Sequence, residues 1–90
     1  EGDYITAPEM TQVFGEVIAL WLIDVWRQAG SPAPFHLIEM GPGRGTLMAD
    51  ILRTFQSLKI PMEQVNVHLI EVSPSLKALQ EQALRHFSVT

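Results

Sequence analysis

The sequence contains no cysteine in its 90 residues. This absence excludes disulfide bonds and metal sites built on thiolates. Basic residues are also few, because six Lys and Arg stand against ten Asp and Glu, for a formal net charge of −4 at pH 7. Nucleic-acid binding depends on clustered positive charge, so we expect no nucleic-acid partner.

Long apolar runs are absent as well. No apolar run reaches the roughly 18 residues that a transmembrane helix needs, so we expect no membrane insertion. The chain begins with Glu1 rather than Met and shows no signal-peptide pattern. Ninety residues form at most one small domain. We therefore interpret the chain as a piece of a longer protein.

Apolar periodicity and capping residues predict alternating helices and strands. A capping pattern that begins at Thr6 predicts a long helix over 6–29, stopped by Gly30 and Pro32. Its apolar positions exceed one stripe, so we expect this helix to be buried on more than one side. A β-α-β-α unit follows over 35–87, with strands at 35–40 and 65–72, helices at 46–58 and from Pro74, and a loop at 59–64.

The predicted order indicates an α/β fold with parallel strands, since a helix connects one strand to the next. In the last helix, helical spacing places Leu76, Leu79 and Ala83 on the inner side. Ser73 is predicted to cap this helix, with Pro74 in the first turn.

A glycine-rich turn follows the first predicted strand, in the segment E-M-G-P-G-R-G-T-L over 39–47. A strand that ends at such a turn and continues as a helix is typical of nucleotide-sized pockets in open α/β sheets. Glycines carry no Cβ, so a ligand can approach the backbone closely. The first amides of the new helix lack helical partners and can face that ligand.

Three ligand classes use such a turn. A nucleoside triphosphate is disfavoured, because Gly41-x-x-x-Gly45-Thr46 is one position short of a P-loop and has no Lys. A dinucleotide is a weaker match, since the third glycine of G-x-G-x-x-G falls one residue early, although Arg44 could contact a pyrophosphate. S-adenosylmethionine matches best, because Glu39 precedes G-x-G-x-G and a carboxylate there favours the ammonium group of the cofactor.

A second acidic residue, Glu71, lies near the end of the second predicted strand. A carboxylate at this position can accept hydrogen bonds from both hydroxyls of a ribose, and it would repel a 2′-phosphate. The alternative is a solvated residue at the end of a strand. The nearby glycine turn favours the ribose interpretation.

Five segments of the chain resemble the MidA-like methyltransferases: G-D-Y-I-T-A-P-E (2–9), F-G-E (14–16), E-M-G-P-G-R-G-T-L (39–47), D-I-L-R (50–53) and V-H-L-I-E-V-S-P (67–74). This group includes a mitochondrial protein-arginine methyltransferase that assists the assembly of respiratory complex I. The resemblance implies a partial Rossmann-like class I methyltransferase fold, a fragment of a seven-strand sheet. Residues 1–90 would then be the N-terminal cofactor-binding part of that domain.

The resemblance also implies the chemistry. It implies an enzyme that uses S-adenosyl-L-methionine as methyl donor and acts on an arginine of a protein substrate, a complex I subunit in the mitochondrial member. It implies a location in the bacterial cytoplasm, or in the mitochondrial matrix if the source is eukaryotic. Carried over by motif, Glu71 contacts the ribose and the cofactor loop consists of Glu39, Gly41, Pro42, Gly43 and Gly45.

The segment before the long helix is a further candidate for the cofactor site. Tyr4 and Thr6 belong to the matching G-D-Y-I-T-A-P-E segment, and we predict that this segment folds over the cofactor. The alternative is that Thr6 only caps the helix and Tyr4 packs in the core. No catalytic residue is assigned.

Two other function classes stay open on the sequence alone. One is an NAD-dependent oxidoreductase that uses the glycine turn, and the other is a non-catalytic assembly factor that retains the fold. The three histidines, His36, His68 and His86, match no metal motif in their spacing, so we predict no metal site.

Overall fold

The computed structural model describes residues 7–41 and 43–89. Tyr4, Thr6 and Pro42, which are predicted cofactor residues, lie outside the described residues. The elements are α1 (Ala7–Gln28), β1 (Phe35–Met40), α2 (Thr46–Ser57), a short 3-10 helix (Met62–Gln64), β2 (Val65–Ile70) and α3 (Pro74–Ala83). The α/β class is therefore confirmed, with three α-helices and two strands among the described residues.

The two strands pair in parallel, as predicted. Phe35 lies opposite Val65, and Met40 lies opposite Ile70. The amide of Gly41 extends this ladder by donating to the carbonyl of Ile70 at 2.8 Å. Both strands therefore end side by side, and whatever follows each strand lies at the same edge of the sheet.

The core lies between one face of the sheet and the helices α1 and α2. Met48, Leu52 and Phe55 of α2 are almost completely buried, with at most 1% of their surface exposed. They pack with Ala19 and Ile23 of α1 and with buried residues of the strands, Leu37, Val65 and Val67. Burial of apolar surface stabilises the fold by about 25 cal/mol per Å². The buried side chains of α2 join those of α1 and of the strands in one core.

The outer side of α1 departs from the prediction. The prediction that α1 is buried on more than one side is wrong within the described residues, because α2 covers only one side of the helix. The apolar side chains on the other sides are between 45 and 61% exposed: Met10, Val13, Phe14, Val17, Leu20, Trp21 and Val25. The second face of the sheet is similarly uncovered at Ile38, Met40 and Ile70.

Two element ends, those of β2 and α3, differ from the prediction by more than one residue. β2 ends at Ile70 rather than at residue 72, because the carboxylate of Glu71 accepts hydrogen bonds from the amides of Val72 and Ser73. These amides are consequently unavailable for pairing along the strand. Ser73 caps α3 as predicted, since its side chain accepts a hydrogen bond from the amide of Leu76. α3 then ends at Ala83 rather than near residue 87.

Gly15 marks the closest approach of α1 to α2. A Cβ built on Gly15 would lie 2.6 Å from the Cβ of Asp50. Asp50 is itself buried, with 8% of its surface exposed, and forms an ion pair with Arg53. The two helices could not keep this separation with a larger residue at position 15.

We expect Gly15→Ala to lower the free energy of unfolding by about 1 kcal/mol. Alanine is favoured over glycine in a helix by about 1 kcal/mol, but relieving the overlap with Asp50 costs roughly 1–3 kcal/mol. Urea unfolding of the intact protein measures the difference, with Glu16→Ala as the control, because Glu16 is an exposed neighbour in the same helix. A gain in stability for Gly15→Ala would contradict the close approach.

Candidate functional site

The glycine turn lies at the carboxyl edge of the sheet, between β1 and α2. Gly41, Gly43 and Gly45 have φ angles of 62°, 59° and 81°, which lie in the left-handed region that favours glycine. A Cβ built on Gly41 or Gly43 would meet no described atom within 4 Å. The turn therefore presents open backbone to any ligand at this edge.

Glu39 lies two residues before the first glycine of the turn and is half-buried. Its Oε1 atom is buried and has no hydrogen-bond partner among the described residues. Desolvation by burial raises the pKa of Glu39 above the ordinary value of 4.5. A buried carboxylate oxygen without a partner is unfavourable, so a cationic or hydrogen-bonding group of a ligand would be stabilised here.

Glu71 follows β2 and lies next to the start of the turn. Its Oε2 atom accepts hydrogen bonds from the amides of Val72 at 3.2 Å and Ser73 at 3.3 Å. Its Oε1 atom accepts one from Nε2 of Gln80 at 3.3 Å. A carboxylate has about four acceptor positions, so Glu71 is oriented at both oxygens and retains capacity for a ligand hydroxyl.

The register of the sheet relates the two carboxylates to each other. Glu39 lies opposite Leu69 in the ladder, and Glu71 follows Leu69 by two residues. Because paired residues of neighbouring strands point to the same face, Glu39 and Leu69 share a face, and Glu71 follows directly after β2 ends at Ile70. The structure thus brings Glu39, the glycine turn and Glu71 to one edge of the sheet.

Gln80 is a site residue that the sequence reasoning missed. The prediction that Leu79 points inward is wrong, since Leu79 is 40% exposed and Gln80 is only 4% exposed. The side chain of Gln80 donates to the carbonyl of Gly43 at 2.6 Å as well as to Glu71. A signal was available, because Gln80 falls on the same helical stripe as Leu76 and Leu84.

His36 and His68 lie on the face of the sheet opposite to that of Glu39, because side chains alternate along each strand. His36 and His68 stack across the two strands with ring centroids 5.5 Å apart, and Nδ1 of His36 lies 3.3 Å from Nε2 of His68. Within the part of the chain that the structure describes, no group of three or more His, Cys, Asp or Glu residues could hold a metal ion. None of the helices described is long and apolar enough to cross a membrane.

Comparison with known families identifies the class of protein to which the chain belongs. A family model described as "Putative S-adenosyl-L-methionine-dependent methyltransferase" matches residues 17–89, which include β1, the glycine turn and Glu71. The chain belongs to this methyltransferase family. Membership favours the methyltransferase interpretation over an NAD-dependent oxidoreductase, and it makes S-adenosyl-L-methionine the cofactor of the family.

Curated relatives of this methyltransferase chain carry a more specific name. The mitochondrial protein arginine methyltransferase NDUFAF7 homolog of Drosophila melanogaster is 50% identical over 82 residues, which are 91% of this chain and 18% of that protein. Mitochondrial protein arginine methyltransferase NDUFAF7 of Homo sapiens is 45% identical over 86 residues, which are 93% of this chain and 20% of that protein. The chain therefore spans about a fifth of the length of the curated relatives that it matches.

The residues at the sheet edge fit the cofactor of the methyltransferase family. S-adenosylmethionine carries an ammonium group, a sulfonium and a ribose diol. The Glu39 oxygen that has no partner in the described part of the chain suits the ammonium, and the oriented carboxylate of Glu71 suits a diol. Near these carboxylates, a Cβ built on Gly41 or Gly43 would meet no described atom, so a ligand has space beside the turn there.

We expect Glu39→Gln to raise the Tm of the ligand-free protein at about pH 7.5, and we expect this gain to disappear near pH 4. Burial raises the pKa of Glu39 in the folded state above 4.5, so the folded protein binds the proton more tightly than the unfolded chain. Below the unfolded pKa both states are protonated and the desolvation cost is absent. The cost grows as the pH rises through the folded pKa.

Thermal unfolding of the intact protein between about pH 4 and pH 8 measures this effect. Glu63→Gln is the control, because it makes the same substitution at an exposed position of the 3-10 helix. A lower Tm for Glu39→Gln at neutral pH, or a gain that does not vary with pH, would argue against a desolvated Glu39.

Proposed function

We propose that residues 1–90 form the N-terminal cofactor-binding part of a Rossmann-like class I methyltransferase domain with a seven-strand sheet. The parallel β1-α2-β2 order supports this proposal. A further parallel bridge joins Val67 of β2 to Val89, on the edge of β2 that does not pair with β1. Such a bridge is what a third parallel strand beside β2 would form.

The observation that carries the proposal is that two carboxylates, Glu39 and Glu71, lie at the sheet edge where the glycine turn begins. Glu39 holds a buried oxygen that has no partner among the described residues, and Glu71 is oriented by three hydrogen bonds at the same sheet edge. In this proposal Glu39 binds the ammonium of the methionine portion and Glu71 accepts the ribose hydroxyls. The loop that admits the carbon chain between them consists of Gly41, Pro42, Gly43 and Gly45.

The segment before α1 completes the pocket in this proposal. Tyr4 supplies an aromatic ring and Thr6 a hydroxyl from the segment 2–9, which matches the MidA-like pattern. Their roles rest on that resemblance, because both residues lie outside the described part of the chain.

The chemistry at this edge requires positioning more than acid–base catalysis. When bound, S-adenosylmethionine supplies an electrophilic methyl group attached to a sulfonium. In this proposal Glu39 would hold the ammonium group and Glu71 the ribose, and the glycine positions of the turn would allow the ligand to approach the backbone between them. The protein would accelerate methyl transfer by aligning the donor with the acceptor and by excluding water.

We propose an arginine side chain of a protein as the methyl acceptor. The names of the relatives, which are protein arginine methyltransferases, support this choice. A guanidinium substrate needs carboxylates that orient it and accept a proton as the new bond forms. We further propose a respiratory complex I subunit as the partner, with the protein in the mitochondrial matrix if the source is eukaryotic and in the cytoplasm if it is bacterial.

We expect the intact protein to bind S-adenosylhomocysteine, and we expect Glu71→Gln to weaken that binding about tenfold, because a hydrogen bond to a charged acceptor contributes roughly 1.5 kcal/mol or more. Isothermal titration calorimetry measures both values. Glu63→Gln is the matched control, since it makes the same change at an exposed position. Binding of NAD without binding of S-adenosylhomocysteine would refute the proposed cofactor.

Methyl transfer to arginine needs a separate assay. The intact protein is incubated with methyl-labelled S-adenosylmethionine and a mitochondrial or bacterial extract, and the labelled proteins are hydrolysed to amino acids. Label in methylated arginine is the expected result. Cofactor binding without transfer to any protein would instead support a non-catalytic assembly factor.

A further inference from the structure

Gln80 occupies a position that an apolar residue would ordinarily fill. It is 4% exposed and is the one residue of α3 that is buried. Burying a primary amide is unfavourable unless its polar atoms form hydrogen bonds. The amide nitrogen of Gln80 does so twice, since it donates to the carbonyl of Gly43 at 2.6 Å and to Oε1 of Glu71 at 3.3 Å.

The two acceptors of Gln80 belong to the two halves of the proposed cofactor site. Gly43 is the central glycine of the turn after β1, and Glu71 follows β2. A Cβ built on Gly45 would lie 3.4 Å from both Cα and Cγ of Gln80, so Gln80 also lies against the last glycine of the turn. A single side chain of α3 thus contacts the turn and the carboxylate together.

The neutral amide suits this position. Lys or Arg would also donate hydrogen bonds to Glu71, but either would place a positive charge beside the carboxylate and compete with a ligand for it. The amide orients Oε1 of Glu71 without neutralising it, while the amides of Val72 and Ser73 hold Oε2. Both oxygens of Glu71 are therefore oriented by neutral donors, and no cation competes with a ligand for them among these contacts.

We propose that Gln80 is a positioning residue for cofactor binding, which fixes the glycine turn and the carboxylate of Glu71 relative to each other. This inference rests on the proposed function, since it assumes that the turn and Glu71 bind one ligand. Preorganisation of this kind raises affinity because the binding groups need no rearrangement when the ligand arrives. Gln80 itself touches neither the sulfonium nor the methyl acceptor in this account.

The test compares Gln80→Met with Gln82→Met in the intact protein. Methionine keeps the length and much of the volume of glutamine but cannot donate a hydrogen bond. Gln82 is an exposed residue of the same helix, so it is the matched control. Isothermal titration calorimetry with S-adenosylhomocysteine measures the Kd, and thermal unfolding measures Tm.

We expect Gln80→Met to raise the Kd about tenfold, because it removes a hydrogen bond to a charged acceptor that orients the site. Gln82→Met should leave the Kd unchanged. The effect of Gln80→Met should also shrink in a Glu71→Gln background, because Gln80 acts partly through Glu71. A purely structural role would instead lower Tm and leave the two substitutions additive in their effect on Kd.

A second variant keeps the test decisive if Gln80→Met does not fold. Gln80→Glu preserves the shape but places a carboxylate beside Glu71 and the carbonyl of Gly43, so it should weaken binding at least as much. If the wild-type protein binds S-adenosylhomocysteine and both Gln80 variants bind it as tightly as Gln82→Met, the positioning role is refuted while the proposed function stands. If the wild-type protein does not bind, the proposed function fails and this inference fails with it.

Discussion

The in-register parallel pairing of β1 with β2 is the constraint on which the candidate site depends. The hydrogen bond from the amide of Gly41 to the carbonyl of Ile70 carries this register one step beyond β1. Because the strands end together, the glycine turn and Glu71 start from neighbouring points although they are some 30 positions apart in sequence. A shift of one residue would move Glu39 to the opposite face, away from Glu71.

Several residues of the candidate site lower the stability of the folded protein. Glu39 keeps a partly desolvated carboxyl group, and the turn uses three left-handed glycines, which lose the most conformational freedom on folding. The packing of α2 against α1 and the sheet offsets these costs, with Leu52 and Phe55 at its centre. The rigid core thus supports an edge that a ligand would stabilise, a separation common in binding sites.

Local sequence patterns predicted the helices and strands well. The features that were missed depend on contacts between segments distant in sequence. Ser73 and Pro74 specified the start of α3, and the apolar run before Gly41 specified β1. Gln80 was missed because only apolar residues were assigned to the inner side of α3, although Gln80 lies on the stripe of Leu76. The acceptors that allow its amide to be buried, Gly43 and Glu71, lie on other segments of the chain. The outer side of α1 was misjudged because an apolar pattern shows which residues favour burial and not whether the described chain supplies a covering surface.

The central claim is that one ligand spans the edge from Glu39 to Glu71. A crystal structure of the intact protein with S-adenosylhomocysteine tests it most directly. The account predicts the ribose hydroxyls within hydrogen-bond distance of the Glu71 carboxylate, roughly 2.5–3.0 Å for such pairs, and the ammonium of the ligand on the Glu39 side of the turn. A ligand bound elsewhere, or one whose ribose does not contact Glu71, would contradict the account.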